Sequence, residues 1–388
     1  MNICIIARGW PSERDPQWGC FERDQALALK ELGHKVVVLS VDVRFKTRYK
    51  RHFGITKSQH DDIICYNLYA GPFWGVALQR ISLSLYKKIN GLLFMFLYNK
   101  VVKEHGFPDI LYAHYLKNSE RALFAKRKSD IPVVGMEHWS YLGYEQIDKK
   151  LIKRAYSTYC KLDLLLTVST KLQKNILRQV GIESMVVHNM IGQMFADNLI
   201  ETRVEQGLFK IISVGSLLPV KGYDILIEAM NIISKDLQNW ELIIIGEGPE
   251  RASLQEAIEK YGLQNNIKLI GRKNKDEIIK RLNESTMYVS SSRSENFSVS
   301  IIEALSAGLP VVATECGGIK ECLNEKNGLL APVENACELA NAILSMNNNI
   351  KKYDRKYISD DCRSRFSPNV IARKLTSIFE AVIKNSKK

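Results

Sequence analysis

The chain has 388 residues, more than one ordinary hydrophobic core holds, and this length predicts two domains. Hydrophobic residues make up 46% of it and prolines number only 10, which excludes a disordered chain. The net charge of +13 is concentrated in residues 1–200, where 29 basic residues stand against 18 acidic ones. We therefore expect the first half to bind an anionic partner.

The eight cysteines and the apolar segments indicate a cytoplasmic protein that is not integral to a membrane. The cysteines are scattered, with no C-x-x-C pair and no His-Cys cluster, which fits neither a zinc site nor a disulfide framework. The first apolar run ends at Arg8, too early for a secretory signal, and predicts a first strand instead. The most hydrophobic stretch, Gly91–Tyr98, is far shorter than the roughly 20 residues of a membrane span.

Strand and helix patterns alternate along the first half. Residues 23–33 have apolar positions at helical spacing and end at Gly33, which predicts a helix. The apolar runs around it are continuous and β-branched, as is typical of strands buried on both faces of a parallel sheet. These runs are NICIIA, HKVVVLSV, DILYAHYL, IPVVGMEH, LDLLLTVS and MVVHN.

The pattern lapses around residues 187–209 and then restarts as a second alternating series. Strands are predicted in FKIISVGSL, WELIIIGEG, NIKLIGR, TMYVSSS and PVVATE. Helices are predicted in YDILIEAMNII, RASLQEAIEKYG, KDEIIKRLNES and VSIIEALSAG, and a last one in NVIARKLTSIFEAVIKN. Strict alternation predicts two doubly wound α/β domains in tandem.

Two carboxylates flank one predicted strand-to-helix turn of the second half. Glu295 follows the strand end TMYVSSS, and Glu303 lies in a helix that we expect to begin near Ser298, whose hydroxyl would cap it. Ligands of open α/β sheets bind beyond such strand ends, and the free amides of a helix N-terminus suit a phosphate. On spacing alone, a pair of glutamates eight positions apart is common by chance, and a solvated helix residue explains Glu303 better than a functional one does.

The segment SENFSVSIIEALSAGLPVVATECGGIKE resembles the E-x7-E segment of the retaining, nucleotide-sugar-dependent glycosyltransferases of family four, also called group 1. The resemblance is to the type that builds bacterial surface polysaccharides. It implies the GT-B fold, in which two Rossmann-like doubly wound α/β domains face each other across a cleft. It also implies that Glu295 lies near the donor sugar hydroxyls, that Glu303 binds the nucleotide ribose, and that the amides between them hold the diphosphate.

Other segments of the second half match the family in order and spacing. VGSLLPVKGYDILIEA is similar to the phosphate-binding V-G-R-L-x-x-x-K-G, although Ser216 stands where the family has arginine. Lys221 is retained, and we expect it to carry the phosphate charge alone or with help from Arg293 or Arg272. LIIIGEGPE resembles the family's next strand and loop. The donor-binding residues implied in this half are Gly215, Ser216, Lys221, Gly246, Arg272, Asn296, Phe297, Ser298 and Glu303.

The first half is more divergent but agrees in layout. GWPSERDPQWGCFERDQALALKELGHKVVVLS is similar to the family's first loop and helix, where a Gly-Gly pair approaches the donor, and only Gly19 is present here. His138, in MEHWS, falls where the family has a histidine that contacts the donor, so we predict it as catalytic together with Glu295. His114 is expected to line the acceptor side, and Asn189 marks the hinge without a catalytic role.

The resemblance also implies boundaries and a reaction. Residues 1–188 would form the acceptor-side domain and 189–366 the donor domain, with a C-terminal helix of about 367–388 packing back onto the first. The reaction would transfer a sugar to an acceptor hydroxyl with retention, and Glu295 would be a ligand of the donor sugar rather than a base. No D-x-D stands out, so this interpretation requires no metal, and the nucleotide sugar is a co-substrate rather than a cofactor.

The positive charge of the first half indicates which class of acceptor the protein uses. Residues 43–57 combine cations with aromatics, and residues 81–103 are amphipathic and apolar, so together they predict contact with an anionic inner-membrane surface. A basic solvated loop followed by a core helix explains the same pattern. We expect a lipid-linked or other saccharide acceptor, as used in exopolysaccharide, capsule, O-antigen or lipopolysaccharide assembly, and no nucleic acid.

Four other classes of protein share parts of this pattern. A nucleotide-sugar epimerase of similar fold remains open, whereas a glycosidase would need its carboxyls to flank a glycosidic bond rather than a phosphate cradle. An NAD oxidoreductase is disfavoured because neither half begins with G-x-G-x-x-G after its first strand. Ser216 and the missing second glycine leave room for a non-catalytic partner of the same fold. The donor base (UDP, GDP or ADP), the sugar and the linkage stay open.

Overall fold

The computed structural model describes residues 1–12, 15, 17–43, 53–71, 82–197 and 207–387. The chain divides into two compact units. The first unit comprises Met1–His188 and Pro368–Lys388, and the second comprises Asn189–Ser367. In its described residues, each unit contains one sheet, and helices connect most of the strands.

The described part of the first unit contains an eight-stranded sheet in the order β3-β4-β2-β1-β5-β6-β7-β8. All neighbouring pairs are parallel except β3 and β4. These two form an antiparallel hairpin through Asp61 and Asp62, both at positive φ, a conformation that aspartate tolerates in tight turns. The strands are β1 Asn2–Ala7, β2 Lys35–Asp42, β3 Gly54–His60, β4 Ile63–Tyr69, β5 Ile110–His114, β6 Val133–Glu137, β7 Leu164–Thr167 and β8 Met185–Val186.

Helices connect these strands, and the last helix of the chain returns to the same unit. They are α1 Cys20–Glu31, α2 Leu83–His105, α3 Tyr115–Ser129, α4 Lys149–Tyr159, α5 Thr170–Val180 and α13 Pro368–Ser386. The final helix α13 packs against α1 and buries Phe379 against Tyr112 of the central strand β5. Apolar burial of this kind is what holds α13 to the first unit.

The described part of the second unit contains a six-stranded parallel sheet in the order β11-β10-β9-β12-β13-β14. Its strands are β9 Phe209–Val214, β10 Trp240–Ile245, β11 Ile267–Leu269, β12 Met287–Ser290, β13 Val311–Thr314 and β14 Gly328–Ala331. Its helices are α6 Gln193–Asp197, α7 Tyr223–Ile233, α8 Arg251–Lys260, α9 Lys275–Asn283, α10 Val299–Ser306, α11 Ala336–Asn348 and α12 Arg355–Phe366.

The predicted elements are found, and most of the predicted strands are shorter than their apolar runs. The run DILYAHYL predicts a strand through Leu116, but β5 ends at His114 and Tyr115 already begins α3. Likewise MVVHN contributes only Met185–Val186 to the sheet. Apolar residues continue past a strand end because the following loop or helix is buried too, so hydrophobicity alone does not locate the end.

Two further observations bear on membranes. In the part of the chain that the structure describes, no helix combines the length and apolarity that crossing a membrane requires. The basic segment predicted to meet a membrane, residues 43–57, lies largely outside the described residues, since 44–52 are not among them. Its amphipathic continuation is the helix α2.

Candidate active site

The second unit reverses its strand order between β9 and β12, and the loops at this point carry most of the predicted donor-binding residues. β10 and β11 lie on one side of the reversal, and β13 and β14 on the other. The loop after β9 leads to α7, and the loop after β12 leads to α10. Because connections leave the two strands in opposite directions, a crevice forms beyond their carboxyl ends, which is where open α/β sheets bind ligands.

Lys221 and Glu295, one from each loop, form an ion pair at this crevice. Lys221 Nζ donates to Glu295 Oε1, and Ser292 Oγ donates to the same oxygen at 3.0 Å. Ser291 Oγ donates to the backbone oxygen of Lys221 at 3.0 Å, which ties the loops together a second time. The two charged side chains keep 25% and 14% of their surface exposed, so a ligand can reach them.

Two glycines fix the position of these loops. Gly317 has φ +57°, and a Cβ there would lie 1.4 Å from the backbone oxygen of Glu295. Gly222 has φ +62°, and a Cβ there would lie 2.2 Å from the backbone oxygen of Ser291. Any side chain at either position would displace a loop that carries a predicted donor ligand.

The remaining predicted residues on this sheet edge lie together after β9, β10 and β11. A Cβ on Gly246 would lie 1.8 Å from the backbone oxygen of Gly215, so the loops after β9 and β10 are in direct contact. The amide of Gly246 donates to the oxygen of Gly271 at 3.0 Å, which places the exposed Arg272 on the adjoining loop. Ser216 is half-buried in the loop after β9.

Arg293, expected to assist Lys221, is engaged elsewhere. Its guanidinium pairs with Asp224 at 2.7 Å and with Glu334 at 2.6 Å, and it also donates to the oxygen of Pro219. Hydrogen bonds to Asp224 and Glu334 raise the pKa of Arg293 above its usual value. Since two carboxylates already balance its charge, we do not assign Arg293 to phosphate binding.

The helix α10 begins where the sequence predicts, but it is not capped as predicted. Ser298 occupies the N-cap position, yet its hydroxyl accepts from no helix amide and lies 3.2 Å from Ser300 Oγ. The predicted capping bond is therefore wrong, because the neighbouring hydroxyl takes its place. Glu303 lies on the second turn of α10, as predicted, and is half-buried.

The residues between the two glutamates are anchored by packing. Phe297 is 6% exposed, and its ring contacts Phe366 edge-on with 5.5 Å between centroids. The backbone oxygen of Asn296 accepts from the amide of Gly318 at 3.1 Å. The ring of Phe297 thus holds the loop to the core, and a diphosphate contact from this residue can come only from its backbone.

The first unit has its own strand-order reversal, between β1 and β5, and the predicted Gly19 lies next to it. Gly19 has φ +82° and directly precedes α1, and a Cβ there would lie 2.1 Å from the backbone oxygen of Gly9. The sequence shows one glycine where the family has a pair. In the structure, Gly9, from earlier in the same loop, is the second glycine beside Gly19.

A buried ion pair that the sequence analysis missed follows β1. Arg8 donates to Glu22 through Nε at 3.0 Å, Nη2 at 3.3 Å and its backbone amide at 3.1 Å. Glu22 is fully buried; burial raises its pKa, but Arg8 outweighs this and holds the pKa at about 2. The only available signal was an arginine that ends an apolar strand, and nothing in the sequence linked it to Glu22.

His138 and His114 form a stacked, hydrogen-bonded pair at the ends of β6 and β5. His114 Nδ1 lies 3.0 Å from His138 Nε2, and the rings are 5.2 Å apart at 8°. Both side chains are buried, and burial lowers the pKa of His114 to about 4. His114 is therefore neutral at pH 7 and orients the ring of His138, which also stacks on Phe21.

Glu137 organises the chain around His138 and was also missed. It accepts from the amides of His138 and Trp139 at 2.9 and 2.7 Å, from the amide of Leu116 at 2.9 Å, and from the Tyr159 hydroxyl at 2.5 Å. Burial raises the pKa of Glu137, and these hydrogen bonds only partly oppose it. A single glutamate at the end of an apolar run gives no sign of this role in the sequence.

Family comparisons cover most of the chain. The model described as Glycosyltransferase Family 4 matches residues 23–192, and the model described as Glycosyl transferases group 1 matches residues 197–359. An uncharacterized glycosyltransferase of Methanocaldococcus jannaschii is 30% identical over 272 residues, which are 68% of this chain and 73% of that protein. The chain therefore belongs to the family 4, group 1 glycosyltransferases.

Two further relatives differ in extent. TuaC of Bacillus subtilis, whose assignment as a teichuronic acid biosynthesis glycosyltransferase is provisional, is 24% identical over 416 aligned positions that cover 100% of both chains. An uncharacterized glycosyltransferase of Haemophilus influenzae is 30% identical over 145 residues, which span 37% of this chain and only 40% of that protein.

Solved structures confirm the fold. Sucrose-phosphate synthase from Thermosynechococcus elongatus has a TM-score of 0.81 at 17% identity and covers 99% of this chain and 100% of that one. The Anabaena protein HepE, solved in complex with UDP and glucose, has a TM-score of 0.72 at 21% identity over 98% and 100%. The predicted GT-B architecture of two Rossmann-like domains is therefore confirmed.

Proposed function

We propose that this glycosyltransferase moves a sugar, with retention of its anomeric configuration, from a nucleoside diphosphate to a hydroxyl of a lipid-linked saccharide. The acceptor belongs to cell-surface polysaccharide biosynthesis on the cytoplasmic face of the inner membrane. The observation that carries the proposal is the Lys221–Glu295 pair at the strand reversal of the second unit, next to the start of α10.

The pair suits a ligand that carries both a diphosphate and a sugar. When a diphosphate binds, its oxygens replace the carboxylate of Glu295 as the partner of the Lys221 ammonium. The amides at the start of α10 add partial positive charge. Glu295, released from the ammonium, accepts hydrogen bonds from the donor sugar hydroxyls. Glu303, one turn into α10, accepts from the ribose. In this arrangement each of the two carboxylates binds the hydroxyls of a different part of the same ligand, the sugar or the ribose.

The chemical step breaks the bond between the anomeric carbon and the diphosphate oxygen and forms one to the acceptor oxygen. The departing diphosphate gains negative charge, which Lys221 and the α10 amides stabilise where it develops. In this proposal the fixed protein charges meet that demand without a metal or other cofactor. His138, oriented by His114, contacts the donor rather than acting as the principal base.

The acceptor assignment is supported by the charge and the relatives of the chain. Residues 1–200 carry most of the excess positive charge, which suits a negatively charged membrane or acceptor. TuaC, which is similar over the full length, is provisionally assigned to teichuronic acid biosynthesis. A saccharide carried on a lipid is the acceptor that meets both conditions.

The helix α2 is the described element best suited to touch the membrane. Leu85, Leu92 and Phe96 are 46%, 59% and 64% exposed, and their spacing places them on one helical face. Lys88 and Lys103 are exposed on the same face. Apolar side chains flanked by lysines are typical of a helix that lies in an anionic membrane surface.

The membrane contact is tested by flotation with vesicles of phosphatidylglycerol and phosphatidylcholine. The double variant L92S/F96S is expected to lose most vesicle binding, because it removes the two most exposed apolar groups of α2. Leu177→Ser, which changes a 49% exposed leucine on α5, serves as the matched control. Equal binding by the double variant and the wild type would contradict the assignment to α2.

The donor assignment is tested by titrating the purified protein with UDP-, GDP- and ADP-linked sugars in a calorimeter. We expect saturable binding of one of the three and its loss in Glu303→Ala. Glu256→Ala removes an exposed glutamate on α8 of the same unit and should leave binding unchanged. Binding without turnover of any donor would favour the non-catalytic partner, and no binding at millimolar concentration would refute the proposal.

A further inference from the structure

A cavity of about 380 Å³ lies at the strand-order reversal of the first unit. Its walls come from the segments that follow β1, β2, β5 and β6 and from the sides of α2, α3 and α4. This is the position where an open α/β sheet binds a ligand, on a different unit from the predicted donor site. The described walls include Tyr115, Lys117, Asn118, Arg121 and Trp139.

The charge of this wall is strongly one-sided. Among the lining residues that the structure describes, Asp42 is the one acidic residue, whereas the basic ones are Arg8, Lys117, Arg121 and Arg154. Two of these have a carboxylate of their own outside the wall: Arg8 pairs with Glu22, and Arg154 pairs with Glu120 at 2.6 Å. Glu120 also pairs with Lys87 at 2.7 Å, so its charge is shared between two cations.

Arg121 differs from Arg8 and Arg154, because its direct hydrogen-bond partners are neutral. It is 3% exposed, and it donates to Asn118 Oδ1 at 2.8 Å and to Asn90 Oδ1 at 3.0 Å. Its Nε has no hydrogen-bond partner among the described residues. Burial lowers the pKa of Arg121 to about 10, which still leaves it charged at pH 7. The carboxylate of Glu120 acts on Arg121 only through space, and it already pairs directly with Arg154 and Lys87. A buried cation without a direct counter-charge is unfavourable, and an anionic ligand would supply one.

A strained residue places the cavity beside the predicted catalytic histidine. Tyr115, the first residue of α3, has φ +70°, a conformation that a bulky side chain adopts only under constraint and that occurs most often at functional sites. Its ring lies 4.2 Å from the Arg8 guanidinium and 5.1 Å from the His138 ring. A ligand in the cavity therefore lies next to the elements that hold His138.

We propose that this cavity binds an oxyanion of the acceptor, a phosphate or a carboxylate, and that Arg121 is the counter-charge that receives it. The proposal rests on the proposed transferase function, and it narrows the acceptor class to saccharides or lipid-linked saccharides that carry such a group near the reacting hydroxyl. The side chain of Lys117 lies along the same wall and adds to the attraction.

The key variant is Asn118→Asp, which places a carboxylate where Arg121 Nη1 already donates a hydrogen bond. It supplies a direct counter-charge from within the protein and keeps the size of the side chain. We expect a higher Tm, because the buried cation is now paired, together with at least about tenfold weaker anion binding. Arg121→Gln removes the charge itself and should weaken anion binding as much, with a lower Tm.

The ligand probes are inorganic phosphate, glycerol phosphate, glucuronate, and glucose as the neutral match of glucuronate. Each is titrated in the Lys221→Ala background, so that the predicted phosphate site of the second unit does not contribute. Lys128→Gln removes an exposed cation of α3 outside the cavity and is the matched control. Vesicles with phosphatidic acid, compared with glycerol phosphate, separate a lipid-borne from a soluble phosphate.

The expected result is binding of at least one anion, no binding of glucose, and loss of binding in Asn118→Asp and Arg121→Gln but not in Lys128→Gln. Anion binding that is unchanged in a more stable Asn118→Asp would overturn the proposal and make Arg121 structural. Absence of binding for every anion, soluble or in vesicles, would overturn it too. Nucleotide-sugar binding should be unaffected in both cavity variants, so failure of the donor site is recognised separately.

Discussion

Replacing Gly317 by alanine should disable the donor site while leaving the second unit folded. Gly317 has φ +57°, and the new Cβ would lie 1.4 Å from the backbone oxygen of Glu295. A normal contact needs roughly 3 Å or more, so the Glu295 loop must move by more than about 1.5 Å. Displacement of a substrate-positioning group by about 1 Å can cost a factor of about 100 in rate, and we expect at least this loss in kcat/KM.

Gly262→Ala separates this displacement from backbone strain. Gly262 also has positive φ, +69°, in the same unit, but a Cβ there meets no atom within 4 Å. Both variants should lose about 1 kcal/mol of stability from the left-handed conformation, and only Gly317→Ala should lose activity. Donor hydrolysis rates and thermal unfolding, measured on the same preparations, give both quantities. A folded Gly317→Ala that turns over donor as fast as Gly262→Ala would refute the reasoning.

Three further predictions concern charge at the two predicted sites. Lys221→Met should weaken binding of the preferred nucleoside diphosphate by about tenfold or more but leave its nucleoside unaffected, since only the diphosphate meets the ammonium; equal losses for both ligands in calorimetry would argue against this contact. His114 has its pKa lowered from 6.5 to about 4 by burial, so its stabilising contribution is full above pH 6.5 and is lost as the pH falls toward 4, to a total of about 3 kcal/mol. Denaturant titrations of His114→Asn should accordingly show a flatter pH dependence in that window, and an unchanged slope would contradict the assignment. Treatment with EDTA should leave donor turnover unchanged, because fixed protein charges are proposed to stabilise the diphosphate; turnover that is lost with EDTA and restored by a divalent cation would refute that part of the mechanism.

The second unit could be predicted closely because its signals are local. The helix of residues 223–233 is found as predicted, since Gly222 marks its start and its apolar residues repeat at helical spacing. The positions of Glu295 on a loop and Glu303 on the second turn of α10 follow from the strand-to-helix order alone. The predicted cap at Ser298 does not form, because the Ser298 hydroxyl lies against the hydroxyl of Ser300 instead of a helix amide. Sequence spacing does not show which of two such partners a hydroxyl will choose.

The first unit was harder because its chemistry depends on long-range burial. Arg8 meets Glu22 across the start of α1, and Glu137 gathers donors from three different elements. The two asparagines around Arg121 come from α2 and α3. Which charged side chain is buried, and which partner it finds, is decided by packing between elements, and single-sequence periodicity contains no such information. The hairpin β3–β4 was missed for a different reason: β3 is largely exposed, so it lacks the apolar run by which strands were predicted.

The stereochemistry of donor turnover tests the central claim most directly. Wild-type protein would be mixed with the nucleotide sugar that it binds, and the sugar released early in hydrolysis would be followed by proton NMR before its anomers equilibrate. The account predicts that the first sugar released has the anomeric configuration of the donor and that Glu303→Ala releases none. Release of the opposite anomer would contradict retention, and no release from any nucleotide sugar would contradict the assignment as a working transferase.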